Sequence, residues 1–233
     1  MAAVDKFGIN LTKPLIHQVG HLGERYEEWI HEPSPIKENR IVENEYIEWL
    51  ERVNWRVIAV VWPPVICWLI SLSIRRGLST DQLMIAAGCG LLFWTFLEYC
   101  LHRFLFHMKP KSYWGIIIQF SLHGHHHKFP LDRTRLLVPP HITTALVILI
   151  WGVVRLVTPA SATPAFMGGS LFGYWVYDLV HYYLHTGKTY NAVTQQLKKH
   201  HLVHHYKDES KGYGVTSLFW DRVFGTELQF KPA

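Results

Sequence analysis

Ten candidate ligand histidines fall in four clusters between positions 102 and 205, and each cluster lies at the end of, or just after, an apolar stretch long enough to enter a membrane. The clusters read His102-Arg-Phe-Leu-Phe-His107, His123-Gly-His-His126-His127, His181-Tyr-Tyr-Leu-His185 and His201-Leu-Val-His204-His205. Neutral imidazole binds iron and zinc through one ring nitrogen, and a histidine set without thiolates suits a borderline first-row metal. Ten ligands exceed what one ion takes. Two metals with four or five nitrogens each follow, and such a pair beside a bilayer points to oxygen chemistry on lipid.

Four apolar runs, about 57–74, 83–101, 142–157 and 165–184, approach the roughly 20 residues needed to cross a hydrocarbon core. Pro63-Pro64 should kink the first or end it early. With four crossings, all the histidine clusters emerge on one face. Lys109, Lys111, Lys128, Arg133, Arg135, Lys188, Lys198, Lys199, Lys207 and Lys211 share that side, which the positive-inside rule makes cytosolic, with Arg75 and Arg76 in the opposite loop dissenting. The expected fold is an all-α integral membrane protein: four transmembrane helices and a cytosolic helical cap, 102–141 and 185–233, holding a histidine-rich dimetal site. This domain, 55–233, follows a charged cytosolic segment, 1–54, in which no signal peptide is expected. Cys67, Cys89 and Cys100 fall inside apolar stretches and read as small buried hydrophobes. The net charge of +5 comes from residues flanking apolar runs, which suits lipid headgroups or an acidic electron-transfer partner and argues against nucleic acid.

Residues three and four apart share a helical face. His123, His126 and His127 have that spacing, as do His201, His204 and His205, and His181 and His185 are one turn apart. His102 and His107 are five apart and should face different ions or approach from different sides, unless the helix loosens near Phe106. A single such pair arises often by chance; four on one face do not. On spacing alone His125 and His200 can each replace a neighbour. His17, His21, His31 and His141 read as ordinary interfacial side chains.

Acids inside apolar runs are expensive and usually functional. Glu98 stands one turn before His102, and Asp178 stands three before His181 on the face of His185. Each is read as accepting the remote ring N–H of a ligating histidine, which fixes the tautomer. Tyr174 shares the Asp178 face and borders a candidate substrate cavity, so Asp178 and Tyr174 are the candidate catalytic pair.

The boxes HRFLFH, HGHHH, HYYLH and HLVHH, with KPLIHQVGHLGERYEEWIH, FLEYCLHRFLFH, KSYWG, GYWVYDLVHYYLH and GVTSLFWDRVFGT around them, resemble the fatty acid 2-hydroxylases of the fatty acid hydroxylase superfamily. The likeness runs from about Lys13 to Thr226. It implies metal ligation by His102, His107, His123, His126, His127, His181, His185, His201, His204 and His205, leaving His125 and His200 outside. It also implies a four-helix anchor in the endoplasmic reticulum and a tail, with Trp220, Asp221 and Phe224, that folds the last cluster over the metals. The implied reaction is O2-dependent hydroxylation at carbon 2 of very-long-chain acyl groups, as in ceramides, at a diiron centre whose sites zinc also fills. The chain shows no His-Pro-Gly-Gly haem motif and is similar to the short plant-type form. Electrons are then expected from a separate cytochrome b5 with its reductase, landing near Lys109, Lys111, Lys198 and Lys199. A sterol or acyl desaturase, a sterol methyl oxidase or a non-redox membrane zinc protein are the alternatives that boxes alone leave open.

Overall fold

A computed structural model describes residues 4–230; positions 1–3 and 231–233, the outer ends of the expected N-terminal segment and cap, lie outside it. The described residues form helices and turns, with no β-structure beyond one isolated bridge between Val4 and Asn10. Three short helices come first, α1 (Ile16–Gly20), α2 (Tyr26–Ile30) and α3 (Glu45–Leu50), followed by the long α4 (Trp55–Arg75) and α5 (Thr80–Cys100). Short α6 (Tyr113–Gln119) and α7 (His125–Lys128) precede long α8 (Pro140–Val157) and α9 (Thr163–Thr186), and the chain ends with α10 (Ala192–Tyr206) and α11 (Phe219–Val223).

Local chemistry sets the starts of the long helices. Asn54 accepts the Arg56 amide at the head of α4, and Ser79 and Gln82 form a reciprocal capping box on α5. The first run does not end early at Pro63-Pro64: α4 continues through both. Two missing N–H groups remove only two rungs of a ladder whose other bonds persist, and packing along α9 holds the helix together.

Among the described residues, three helical stretches are long and apolar enough to cross a membrane: Trp55–Arg75, Thr80–Phe106 and Pro140–Val157. Their outer faces expose Val60, Trp68, Met84, Ile85, Ile148 and Leu156, as a lipid-facing surface does. Cys67 and Cys89 belong to those outer faces and Cys100 is half-buried, so the cysteines are not the buried core residues their apolar context suggested. The fourth expected run, α9, differs. It carries Asp178, His181 and His185, and its neighbours bury most of it. The reason is central placement: α4 and α5 both pack along α9 and α8 closes one side. At the α5–α9 crossing Gly90 meets the Phe166 carbonyl and Gly169 meets the Ala87 carbonyl so closely that a Cβ on either would overlap main chain. Ser170 Oγ adds a hydrogen bond to the Gly90 carbonyl at 2.9 Å. Arg76 reaches the Ala160 carbonyl at 2.7 Å, which puts Arg75 and Arg76 at the end of the bundle away from the histidines.

A second core lies at the histidine end. Leu15, Val19, Tyr26, Trp29 and Ile30 pack against Ile116, Phe120 and Phe129. The N-terminal segment therefore packs onto the histidine-bearing cap. Lys128, buried at the end of α7, donates to the carbonyls of Trp29 and Glu32 at 2.7 Å each. That clamp ties the HGHHH box to α2.

Candidate metal centre

The backbone entering the first two boxes is wider than an α-helix. After Cys100 the chain continues as a π turn over Leu101–Phe106, and a second π turn, Phe120–Gly124, leads into α7. A π turn closes with i→i+5 bonds, as where His107 N donates to the His102 carbonyl at 3.2 Å. Residues five apart then share a face. His102 and His107, expected on different sides for an ideal helix, enter one cluster together.

All ten candidate ligands converge, in two sets of five. His102, His107, His123, His127 and His204 form one; His126, His181, His185, His201 and His205 form the other, and in each set the nitrogens lie within 4.8 Å of one another. The two triplets are split in opposite ways. The HGHHH box sends two imidazoles to the first set and one to the second, while HLVHH sends one and two. His127 and His205 stack at 4.2 Å where the sets meet.

The donor atoms fit metal ions. In the first set Nε2–Nε2 separations are 3.1 Å for His102–His123, 3.3 Å for His102–His107, 3.0 Å for His123–His127 and 3.0 Å for His107–His204. In the second, His126–His181 is 3.0 Å and His185–His201 is 2.6 Å. Two nitrogens bound about 2.1 Å from one ion at right angles stand about 3.0 Å apart. Both ring nitrogens of His205 are buried with no hydrogen-bond partner among the described residues, a cost that coordination through one of them reduces. Burial, reinforced by neighbouring imidazoles, pushes the pKa of His107, His123, His126, His127, His201 and His205 down, and that of His204 to about 3. Neutral rings are the form that binds metal.

Backbone carbonyls orient the rings. His102 Nδ1–H donates to Tyr213 at 2.6 Å, His181 Nδ1–H to Leu136 at 3.0 Å and His204 Nδ1–H to Lys211 at 2.8 Å, which leaves each Nε2 as the free donor. The sequence pointed to Glu98 and Asp178 for this task, and neither touches a ligand ring by hydrogen bond. Glu98 accepts Val215 N–H at 3.0 Å, Thr216 N–H at 3.2 Å and Thr216 Oγ–H at 2.9 Å. From the other side Asp221 accepts Tyr213 N–H at 3.0 Å and Gly214 N–H at 2.8 Å. The two buried carboxylates pin the loop whose Tyr213 carbonyl holds His102, so Glu98 acts through main chain. Asp178 accepts Tyr174 O–H at 2.8 Å, and Thr143 bonds the same hydroxyl at 2.8 Å. Tyr177 stacks on His181 at 5.8 Å. Tyr174 lines a cavity of about 20 Å³ between α5, α8 and α9, with Phe93, Trp94, Val147 and Leu171.

The remaining histidines divide. His125 bonds Asn39 at 2.9 Å and His200 packs on Phe230 at 4.7 Å, both outside the two sets. His17 bonds Tyr113, His21 packs on the same ring, and His141 lies 3.5 Å from Glu51. His31, read from sequence as interfacial, instead stacks on His107 at 6.4 Å and meets His127 edge-on at 5.7 Å. Only its distance along the chain hid it. In the tail, Trp220 bonds Thr95 at 3.1 Å and Phe224 stacks on Tyr99 at 5.3 Å, closing α11 against α5.

Known proteins are similar to this chain. Residues 87–226 match the sequence profile described as fatty acid hydroxylase. A dihydroceramide fatty acyl 2-hydroxylase of Arabidopsis thaliana is 46% identical over 98% of this chain and 97% of its own length. A fatty acid 2-hydroxylase of Mus musculus is 36% identical over 95% of this chain and 65% of its own. The solved structure of full-length scs7p, in which only the hydroxylase domain is visible, superposes with a TM-score of 0.88 at 34% identity, covering 95% of this chain and 86% of that one. Profile, near end-to-end identity and superposition agree with the convergent histidines: the chain belongs to the fatty acid hydroxylase family.

Proposed function

We propose that this chain is an O2-dependent fatty acyl 2-hydroxylase acting on ceramide-type lipid. The observation that carries the reading is the pair of five-histidine sets at one end of an apolar bundle, in a chain 46% identical to a dihydroceramide fatty acyl 2-hydroxylase. The metal ligands are His102, His107, His123, His127 and His204 for one ion, and His126, His181, His185, His201 and His205 for the other. Iron bound there supplies the redox capacity to activate oxygen; zinc fits the same nitrogens without it. The protein's part is to hold ten neutral imidazoles rigid, through the Tyr213, Leu136 and Lys211 carbonyls, and to keep water from the ligands by burial.

Tyr174 and Asp178 are assigned to the polar end of the substrate. Asp178 Oδ1 is buried and has no partner among the described residues, leaving it free to accept an N–H or O–H from the lipid. The small apolar cavity bordered by Tyr174 keeps the surroundings of that end apolar. Attack at carbon 2 then requires only that the headgroup amide rest near the interface, where the metals sit. In this reading α9 is a fourth transmembrane helix inside the other three, the metal end faces the cytosol, the membrane is that of the endoplasmic reticulum, and cytochrome b5 with its reductase supplies electrons. A sterol or acyl desaturase, a methyl oxidase and a non-redox zinc protein are disfavoured by the relatives. Expression in cells lacking endogenous activity, followed by lipid mass spectrometry, should yield 2-hydroxylated sphingolipids with the wild type and none with His181→Ala. Unchanged lipids with a metal-loaded wild type would sink the proposal.

A further inference from the structure

The outer face of α10 carries an open groove. His201, His204 and His205 occupy its inner face, and 3.6 residues per turn sets Lys199, Val203 and Tyr206 opposite them. With Lys198, Leu202 and Lys207 these line an open groove of about 440 Å³. Because His201 and His205 press on His185 at the end of α9, the groove points away from the apolar helices. From Gly187 to Lys207 the chain carries Lys188, Lys198, Lys199 and Lys207 and no acidic residue. Lys109 and Lys111, from which the sequence also drew a landing surface, are paired with Glu27 at 2.8 Å and Glu24 at 3.0 Å. Lys198 reaches the Gly187 carbonyl, and Lys199 lies over the Phe230 ring. Among the described residues neither is paired with an acid.

We infer that this groove is the docking site for an acidic one-electron carrier protein, Leu202, Val203 and Tyr206 forming the floor and Lys198, Lys199 and Lys207 the rim. This rests on the hydroxylase reading. Inserting one oxygen atom of O2 into a C–H bond and releasing the other as water takes two electrons and two protons, so a carrier docks twice per turnover. A carrier in this groove stands about one helix diameter, roughly 10 Å, from three metal ligands. An apolar centre with a charged rim is the usual build of a transient interface, the charges steering approach.

The test is Lys199→Glu with Lys207→Glu, in metal-loaded protein held in nanodiscs of neutral phosphatidylcholine, with the soluble cytochrome b5 domain as probe. Its Kd should rise about tenfold or more, since reversing two rim charges opposes both approach and docking. A control pair of equal charge change on exposed lysines, Lys13→Glu with Lys37→Glu, should move it less than about twofold. Melting temperature and hydroxylation driven by a small chemical reductant should stay at wild-type levels in the groove variant. An unchanged Kd, an equal effect in the control pair, or an effect seen only in nanodiscs of anionic lipid, which would mark a headgroup site, overturns the inference. The hydroxylase reading fails separately, if wild type forms no 2-hydroxylated lipid under chemical reduction while still binding the domain.

Discussion

Glu98→Ala takes away the acceptor for Val215 N–H, Thr216 N–H and Thr216 Oγ–H at 3.0, 3.2 and 2.9 Å. Bonds of this kind contribute about 1–2 kcal/mol each, and more where the abandoned donor cannot rehydrate. Val215 is buried and Thr216 half-buried, so water relieves only part of the loss. A cost of about 3–5 kcal/mol follows, equivalent to a fall in melting temperature of about 6–20 °C for a chain of this size. The damage should also reach the metals. The loop carries the Tyr213 carbonyl that orients His102, so the set containing His102 should lose about 10 to 100-fold in metal affinity. The set containing His181, held from Leu136, should keep its ion. Glu98→Gln retains an oxygen for the two amides, and Thr216 Oγ can accept from the new amide, so most stability should return. Thermal unfolding in detergent, with metal analysis and the absorption of cobalt-substituted protein, reads all three effects. An alanine variant with both metals bound and a melting temperature within about 2 °C of wild type, an effect below about 1 kcal/mol, would refute the chain of contacts, as would equal loss from both sets.

Gly169→Ala sets a Cβ against the unyielding Ala87 carbonyl and should cost about 1–3 kcal/mol, whereas Gly168→Ala meets only the movable Ile70 side chain and should be milder. Equal melting temperatures for the two variants would contradict the close crossing of α5 and α9. His126→Ala should lower metal content below two per chain, while His125→Ala should keep both metals and lose only about 1–2 kcal/mol with its Asn39 bond; metal analysis separates them. Acid should be destabilising. Burial depresses the folded pKa of His107, His123, His126, His127, His201, His204 and His205, so below pH about 6.5 the unfolded chain gains protons that the folded one does not. Stability then falls with pH by about 1 kcal/mol per such histidine between pH 6.5 and 5.5, and metal-free protein whose denaturation midpoint is flat across that interval would contradict neutral imidazoles.

The histidine clusters, the apolar runs and their common end were legible in the chain because they depend on local periodicity: a histidine at i, i+3 or i+4 shares a face whatever lies beyond it. His181 with His185 and His201 with His205 needed nothing more. Folding decided what depends on partners distant in sequence. The π turn at Leu101–Phe106 put His102 and His107 together, a result that ideal helix geometry opposes. The division of each triplet between two sets came from how α7, α9 and α10 meet. The acceptors that orient the rings are main-chain carbonyls of Leu136, Lys211 and Tyr213, and every residue carries a carbonyl, so no sequence pattern marks those that do the work. Glu98 stood out as a costly acid in an apolar run, but the histidine contact read for it gave way to bonds with the 213–216 loop, more than a hundred residues away. His31 and Lys128 joined the centre because the N-terminal segment needed an apolar partner for Tyr26 and Trp29. It found one in the helices that carry the second box.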